Sequence, residues 1–201
     1  MIAIVDYGAG NLKSLQFAFD KLGLKTCITS DEKIIKASDA IILPGVGAFN
    51  DAMKALNAQD LIDVLTREAS SGKPFLGICL GMQLLYDLSF EDGEWNGLEL
   101  LDGKIEQIAP TVKVPHMGWN TLTHHQESPI LKNIENDAYV YFVHSYFASE
   151  WMKESLVSSC VYGDLVPAIV QKDNVVGMQF HPEKSGQTGL QLLKNFGEMI
   201  S

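Results

Sequence analysis

Cysteine is scarce in this chain, and its three copies are poorly placed for pairing. Cys27, Cys79 and Cys160 stand far apart, their number is odd, and no C-x-x-C occurs. That argues against a disulfide framework or a structural zinc site and fits a reducing cytoplasm. Positive charge is in deficit as well: 15 Lys and Arg stand against 25 Asp and Glu, a net charge of −10 at pH 7. Such a balance argues against nucleic acid or an anionic membrane as the main partner. No apolar run approaches the ~20 residues of a membrane-spanning helix. The N-terminus, Met1-Ile2-Ala3-Ile4-Val5-Asp6, lacks a basic leader segment and reads as a first strand. Repeats, low-complexity stretches and Pro/Gly/Ser-rich linkers are absent too, so the 201 residues are expected to form a single domain, residues 1–201. A chain of this length buries roughly 70% of its unfolded surface, enough to fold without disulfides.

Apolar residues make up 46% of the chain and charged ones 20%, ordinary values for a globular protein. In the first ninety residues, short apolar runs alternate with helical patterns. Strands are expected at Ile2–Val5, Thr26–Thr29, Ala40–Leu43 and Phe75–Ile78. Asn11 is placed to cap a helix with apolar residues at Leu12, Leu15, Phe19 and Leu22. Further helical patterns fall around Phe49–Leu56 and Ile62–Ala69. This alternation predicts an α/β fold: a mostly parallel open sheet flanked by helices. From Gly97 to Gln179 the helical period fades. Strand-like runs at Gly103–Ile108, Trp119–Leu122, Ala138–Val143, Leu156–Tyr162, Ala168–Gln171 and Val175–Gln179 predict a mixed or antiparallel extension of the sheet. A last helix is expected at about Thr188–Ile200.

The most informative segment is Gly77-Ile78-Cys79-Leu80-Gly81-Met82-Gln83, where an apolar strand meets a helical run. A nucleophile flanked by glycines two residues away on each side is the pattern of a nucleophile elbow. The tight turn forces strained backbone at the nucleophile and leaves no room for neighbouring side chains. It also puts the sulfur at a helix N-terminus, where the dipole favours thiolate. A small buried cysteine in a glycine-packed turn would look the same.

A cysteine nucleophile needs a base and a group to orient that base. His181 follows the apolar run ending at Phe180 and opens His181-Pro182-Glu183. Proline keeps the preceding residue extended, and extended residues i and i+2 share a side. Glu183 can therefore hold the His181 imidazole, although His-Pro-Glu alone would equally suit a surface turn. An oxyanion formed on Cys79 attack would meet the N–H of Leu80 and one from Pro44-Gly45-Val46-Gly47. The remaining histidines have weaker claims. His124 and His125 suit a loop or solvent face. His144 suits a hydrogen-bonded strand edge or a pocket wall. His116 lies in an apolar, aromatic segment that suits the core or, if exposed, an interface. Gly8-Ala9-Gly10 lacks the third glycine of a dinucleotide loop, because residue 13 is Lys13. No cofactor and no metal are expected.

Taken together, the Cys79 segment and His181-Pro182-Glu183 resemble the class I (triad) glutamine amidotransferases. Many of that family carry Pro-Gly-Gly where this chain has Pro44-Gly45-Val46-Gly47. The Val form is similar to the glutaminase subunits of imidazole glycerol phosphate synthases. Asp6-Tyr7-Gly8-Ala9-Gly10-Asn11-Leu12, Pro115-His116-Met117-Gly118-Trp119-Asn120, Tyr141-Phe142-Val143-His144-Ser145-Tyr146 and Gln179-Phe180-His181-Pro182-Glu183-Lys184-Ser185 fit the same branch. The resemblance runs from residue 2 to about residue 196 with no departure at a motif position.

The resemblance implies a flavodoxin-like three-layer fold and roles for particular residues. Cys79, His181 and Glu183 would form the catalytic triad. Val46, Gly47 and Leu80 would form the oxyanion hole. Gly47, Gln83, Ser145 and Tyr146 would bind glutamine. Asn11, Met117, Trp119, Asn120 and Lys184 would face the partner, a (β/α)8-barrel cyclase that receives ammonia through a channel. Two other readings share the residues: a different amidohydrolase on the same fold, such as a γ-glutamyl hydrolase, and a binding module that has lost the chemistry.

Overall fold

The computed structural model describes residues 1–200. The amino-terminal half alternates as expected. Strands β1 (Ile2–Val5), β2 (Thr26–Thr29), β3 (Ala40–Gly45) and β4 (Phe75–Cys79) are joined by helices α1 (Leu12–Lys21), α2 (Glu32–Ala37), α3 (Phe49–Ala58) and α4 (Leu61–Ser70). After β4 come a single helical turn α5 (Leu80–Gln83) and strands β5 (Tyr86–Ser89), β6 (Trp95–Asn96) and β7 (Leu101–Gln107). Then follow β8 (His116–Thr121), β9 (Thr123–His124), β10 (Tyr139–His144), β11 (Tyr146–Ser149), β12 (Leu156–Tyr162), β13 (Asp164–Lys172) and β14 (Val175–Met178). A 3-10 turn at Pro182–Lys184 leads into helix α6 (Gly186–Glu198).

The main sheet has eight strands in the order β2-β1-β3-β4-β14-β13-β12-β9. Strands β2, β1, β3, β4 and β14 are parallel; β13, β12 and β9 continue it antiparallel. The second half is more than an extension of this sheet. Strands β8 and β10 pair as a separate ribbon, and β11, β7, β5 and β6 form a third sheet. Sequence patterning gives strand character, whereas pairing partners are set by long-range register.

Strand β1 is buried on both faces, as a parallel sheet between helices requires. Ile2 and Ile4 pack with Leu15 and Phe19 of α1 and with Leu192, Leu193 and Phe196 of α6. Ala3 and Val5 face the other way, toward Ile35, Phe49, Leu56, Val64 and Leu65 of α2, α3 and α4. Each fully buried Leu, Ile or Phe contributes roughly 1.5–3 kcal/mol, so the two layers hold the sheet between them. Asn11 precedes α1 without capping it through its side chain.

Two register facts place the site. Gly45 of β3 pairs with Cys79 of β4. Met178 of β14 pairs with Ile78 of β4. The chain segments that leave β3 and β14 therefore emerge on either side of Cys79, at the carboxyl ends of parallel strands, where α/β sheets bind ligands.

The helical run after Cys79 stops after one turn, shorter than its apolar pattern suggests. The Leu84 carbonyl accepts from Leu98, and the Leu85 carbonyl accepts from Leu100 and Leu101, so neither serves a longer helix. The elbow glycines answer to space. A Cβ on Gly81 would lie 1.8 Å from the Leu43 carbonyl oxygen, and one on Gly77 would lie 2.7 Å from the Gly81 oxygen. Both obstacles are backbone, which cannot swing away. Gly81→Ala is therefore expected to cost about 3 kcal/mol or more, read as a lower urea midpoint. A wild-type midpoint would show that the elbow has slack.

Candidate active site

Cys79 adopts φ 55°, ψ −114°, a conformation that side chains other than glycine avoid. Strand β4 behind it and α5 ahead of it fix the turn, and the residue is 6% exposed. Its thiol lies 3.8 Å from the Val143 carbonyl. The support expected from a helix dipole is small, because α5 spans only four residues. The charge that faces the sulfur comes from His181.

His181 is fixed at both ends of its backbone. Its N–H donates to the Tyr141 carbonyl at 3.0 Å, and its carbonyl accepts from the Ser185 hydroxyl at 2.7 Å. Ser185 in turn accepts from the Tyr141 N–H at 2.9 Å, so the Pro182–Lys184 turn is tied to β10. The ring Nδ1 lies 2.9 Å from Glu183 Oε1. Both side chains are almost wholly buried. Nε2 is buried with no hydrogen-bond partner, as is Glu183 Oε2. Burial alone would lower the imidazole pKa. The adjacent Cys79 and the hydrogen-bonded Glu183 carboxylate outweigh it and push it up to about 9.

A cavity of about 360 Å³ opens on these groups. Val46 and Gly47 border it from the segment after β3, and Cys79, Leu80 and Gln83 from the elbow. Val143, His144, Ser145 and Tyr146 form the opposite wall, with His181 beside them. Each expected triad, oxyanion and glutamine-binding residue except Glu183 borders the cavity, and Glu183 supports His181 from behind. Gln83 is held by its amide, which donates to the Tyr146 carbonyl at 2.8 Å and to Gln179 Oε1 at 3.1 Å. Tyr7, buried beside the elbow, donates its hydroxyl to the Pro44 carbonyl at 2.8 Å and so anchors the Gly45–Gly47 segment.

Glu91 also lines the cavity, and sequence reasoning missed it. Its Oε2 accepts from the Phe49 N–H at 2.7 Å, at the start of α3. Partial burial raises its pKa, the Phe49 bond opposes that, and Asp92 and Asp51 add to the rise. It sits in Phe90-Glu91-Asp92-Gly93, a turn with no motif to mark it. Among the expected interface residues, Met117 is 62% and Trp119 is 55% exposed, and Lys184 is exposed too. Asn11 and Asn120 are half-buried. Helix α1 packs on the Pro182–Lys184 turn, that turn on β10, and β10 on β8, so these residues belong to neighbouring elements.

The model of the family glutamine amidotransferase class-I matches residues 3–199. This chain belongs to the class I glutamine amidotransferases. It is 58% identical over 200 residues to the imidazole glycerol phosphate synthase subunit HisH of Oceanobacillus iheyensis, covering 100% of both chains. It is 50% identical to the HisH subunit of Caldanaerobacter subterraneus, covering 100% of this chain and 98% of that one. Solved structures share the fold. A glutamine amidotransferase superposes with a TM-score of 0.79 at 18% identity, covering 100% and 99% of the two chains. PurLQS from Thermotoga maritima superposes with 0.78 at 20% identity, covering 100% and 98%. The amidotransferase fold therefore accounts for both the elbow and the histidine turn.

The His181 value has a kinetic consequence. A reaction that uses the imidazolium as its acid loses rate as pH rises through about 9. Glu183→Gln removes a charge and weakens a hydrogen bond that hold the proton. Burial then weighs more, and the alkaline limb of kcat is expected to move down by about one pH unit. The rate itself should fall on the order of 10²–10⁴-fold as the ring loses its orientation. An unmoved limb would assign that ionisation to another group.

Proposed function

We propose that this chain is the glutaminase subunit of an imidazole glycerol phosphate synthase. It would work as one amidotransferase domain in a cytoplasmic heterodimer with a (β/α)8-barrel cyclase. The observation that carries the chemistry is the buried Cys79–His181–Glu183 line, whose first two members border a cavity. Relatives named HisH across the whole chain support the pathway.

The steps follow from the residues. With the Cys79 proton held on His181, the sulfur attacks the side-chain amide carbon of glutamine, and the carbonyl electrons move to oxygen. N–H groups of Leu80 and of the Val46–Gly47 segment receive that oxyanion. The His181 imidazolium gives its proton to the amide nitrogen, the C–N bond breaks, and ammonia leaves. The acyl group remains on Cys79 as a thioester. Water then attacks the thioester while His181 takes its proton. The C–S bond breaks, glutamate leaves, and the sulfur is freed beside a protonated His181, as at the start. Glu183 keeps His181 in one orientation through both halves. Gln83, Ser145 and Tyr146 hold the substrate, and the Glu91 carboxylate is placed to receive its α-ammonium.

Ammonia that escaped into solvent would be wasted. The exposed Met117 and Trp119 offer an apolar face on the β8–β10 ribbon, which borders the cavity through Val143 and His144. With Asn11, Asn120 and Lys184 they form the side on which the cyclase docks. The cyclase would use the ammonia to make imidazole glycerol phosphate and an aminoimidazole carboxamide ribotide in histidine biosynthesis.

Replacement of the nucleophile tests this reading. In the complex, Cys79→Ala is expected to lower glutamine-dependent synthesis on the order of 10⁴-fold or more, while free ammonium still supports product. Glutamine hydrolysis that survives the change would place the nucleophile elsewhere.

A further inference from the structure

Two buried histidines stand beside the cavity and take no part in the steps above. His144 belongs to the cavity wall; His116 lies behind it on β8. The two are register partners across the β8–β10 ribbon. The His116 ring stacks on Phe142 at 4.7 Å and on Tyr162 at 3.9 Å, which fixes its plane. Its Nδ1 lies 2.9 Å from Nε2 of His144. Nδ1 of His144 lies 2.8 Å from the Tyr146 carbonyl oxygen. Nε2 of His116 lies 3.3 Å from Nδ2 of Asn120.

The proton positions follow from the partners. A carbonyl oxygen can only accept, so His144 Nδ1 carries hydrogen. Burial holds the pKa of both rings down to about 4, so at neutral pH each ring carries one proton. His144 Nε2 is then bare and accepts from His116 Nδ1–H, which leaves His116 Nε2 bare. The opposite end gives the same answer independently. Asn120 Oδ1 accepts from the Thr121 N–H at 2.8 Å, and its amide NH2 donates to the Val161 carbonyl at 3.1 Å. Those bonds fix which way the amide points, so NH2 faces His116 Nε2. The chain therefore runs from Asn120 through His116 and His144 to the Tyr146 carbonyl in one direction only. That carbonyl also accepts from Gln83.

We propose that Asn120, His116 and His144 form a one-way relay that sets the Ser145–Tyr146 wall of the pocket from the outer strand β8, with both imidazoles in the Nδ1–H form. His116 and Asn120 touch no reacting atom and act as positioning residues. The outer end of the relay lies one residue from the exposed Trp119, so a protein seated on β8 would press on the same strand that holds the pocket wall. The effect on glutamine rests on the glutaminase reading; the tautomers do not.

Two measurements test this separately. Nitrogen-15 NMR of the imidazoles in the isolated chain needs no substrate. Both rings are expected as Nδ1–H, and an Nε2–H form at either ring overturns the relay. Steady-state kinetics with the cyclase present then compares two variants. His116→Phe keeps a flat ring between Phe142 and Tyr162 and removes both hydrogen bonds. His116→Asn returns a donor near the Nδ1 position. His116→Phe is expected to raise KM for glutamine about ten-fold with a smaller change in kcat, and His116→Asn to recover most of that loss. Wild-type kinetics in His116→Phe overturn the positioning role. Equal losses in the two variants overturn it as well, because packing and not the donor would then be responsible. If the wild-type complex hydrolyses no glutamine, the glutaminase reading fails, and the NMR result alone decides the relay.

Discussion

The site depends on one strained residue. Cys79 holds a positive φ that costs on the order of 1–3 kcal/mol in a residue with a side chain. The turn survives because everything around it is already committed. Strand β4 is paired on both sides, by β3 and by β14, so the chain cannot retreat. Gly81 then packs against the backbone of β3 at a distance that admits no side chain. This close approach brings the Gly45–Gly47 segment to the sulfur. Strain at the nucleophile and proximity of the oxyanion segment are thus two results of one packing decision.

Three buried histidines near this turn show how partners decide charge. Burial lowers the pKa of each. At His116 and His144 burial prevails, because their partners are an amide, a carbonyl and each other and the Tyr146 bond offsets it only in part, so the rings stay neutral. At His181 a thiol and a carboxylate face the two ring nitrogens, and the balance reverses. A neutral pair is suited to fixed hydrogen bonds with defined donors. A charged ring between Glu183 and Cys79 is suited to giving and taking a proton. The protein places the two kinds of histidine on either side of one cavity wall.

Much of this was legible in the chain. The alternation of the first ninety residues gave the parallel strands, and the glycines around Cys79 gave the elbow. His181-Pro182-Glu183 declared its geometry through proline. What the sequence hid depended on distant backbone. Strand β3 continues through Pro44 to Gly45, although proline ordinarily ends a strand, because Tyr7 and the β4 register hold it there. Helix α5 stops after a turn because residues 98–101 take the carbonyls that would have extended it. Glu91 reaches the cavity by bonding the start of α3, 42 positions away, which no local pattern announces. The His116–His144 pairing likewise needed the β8–β10 register, since the two residues stand 28 apart in sequence.

That ribbon has a consequence for how the pocket can respond. Strands β8 and β10 pair outside the main sheet but pack on it: Val140 and Phe142 of β10 are buried in the core, Tyr141 is tied to His181 and Ser185, and Asn120 of β8 donates to the Val161 carbonyl of β12. The main sheet fixes Cys79 absolutely, whereas the wall opposite it rests on a two-stranded element whose outer strand carries the exposed Met117 and Trp119. Force applied at the outer strand therefore has a short path to the wall, while the nucleophile stays where β3 and β14 put it. A partner can retune the pocket without disturbing the strained turn on which the chemistry depends.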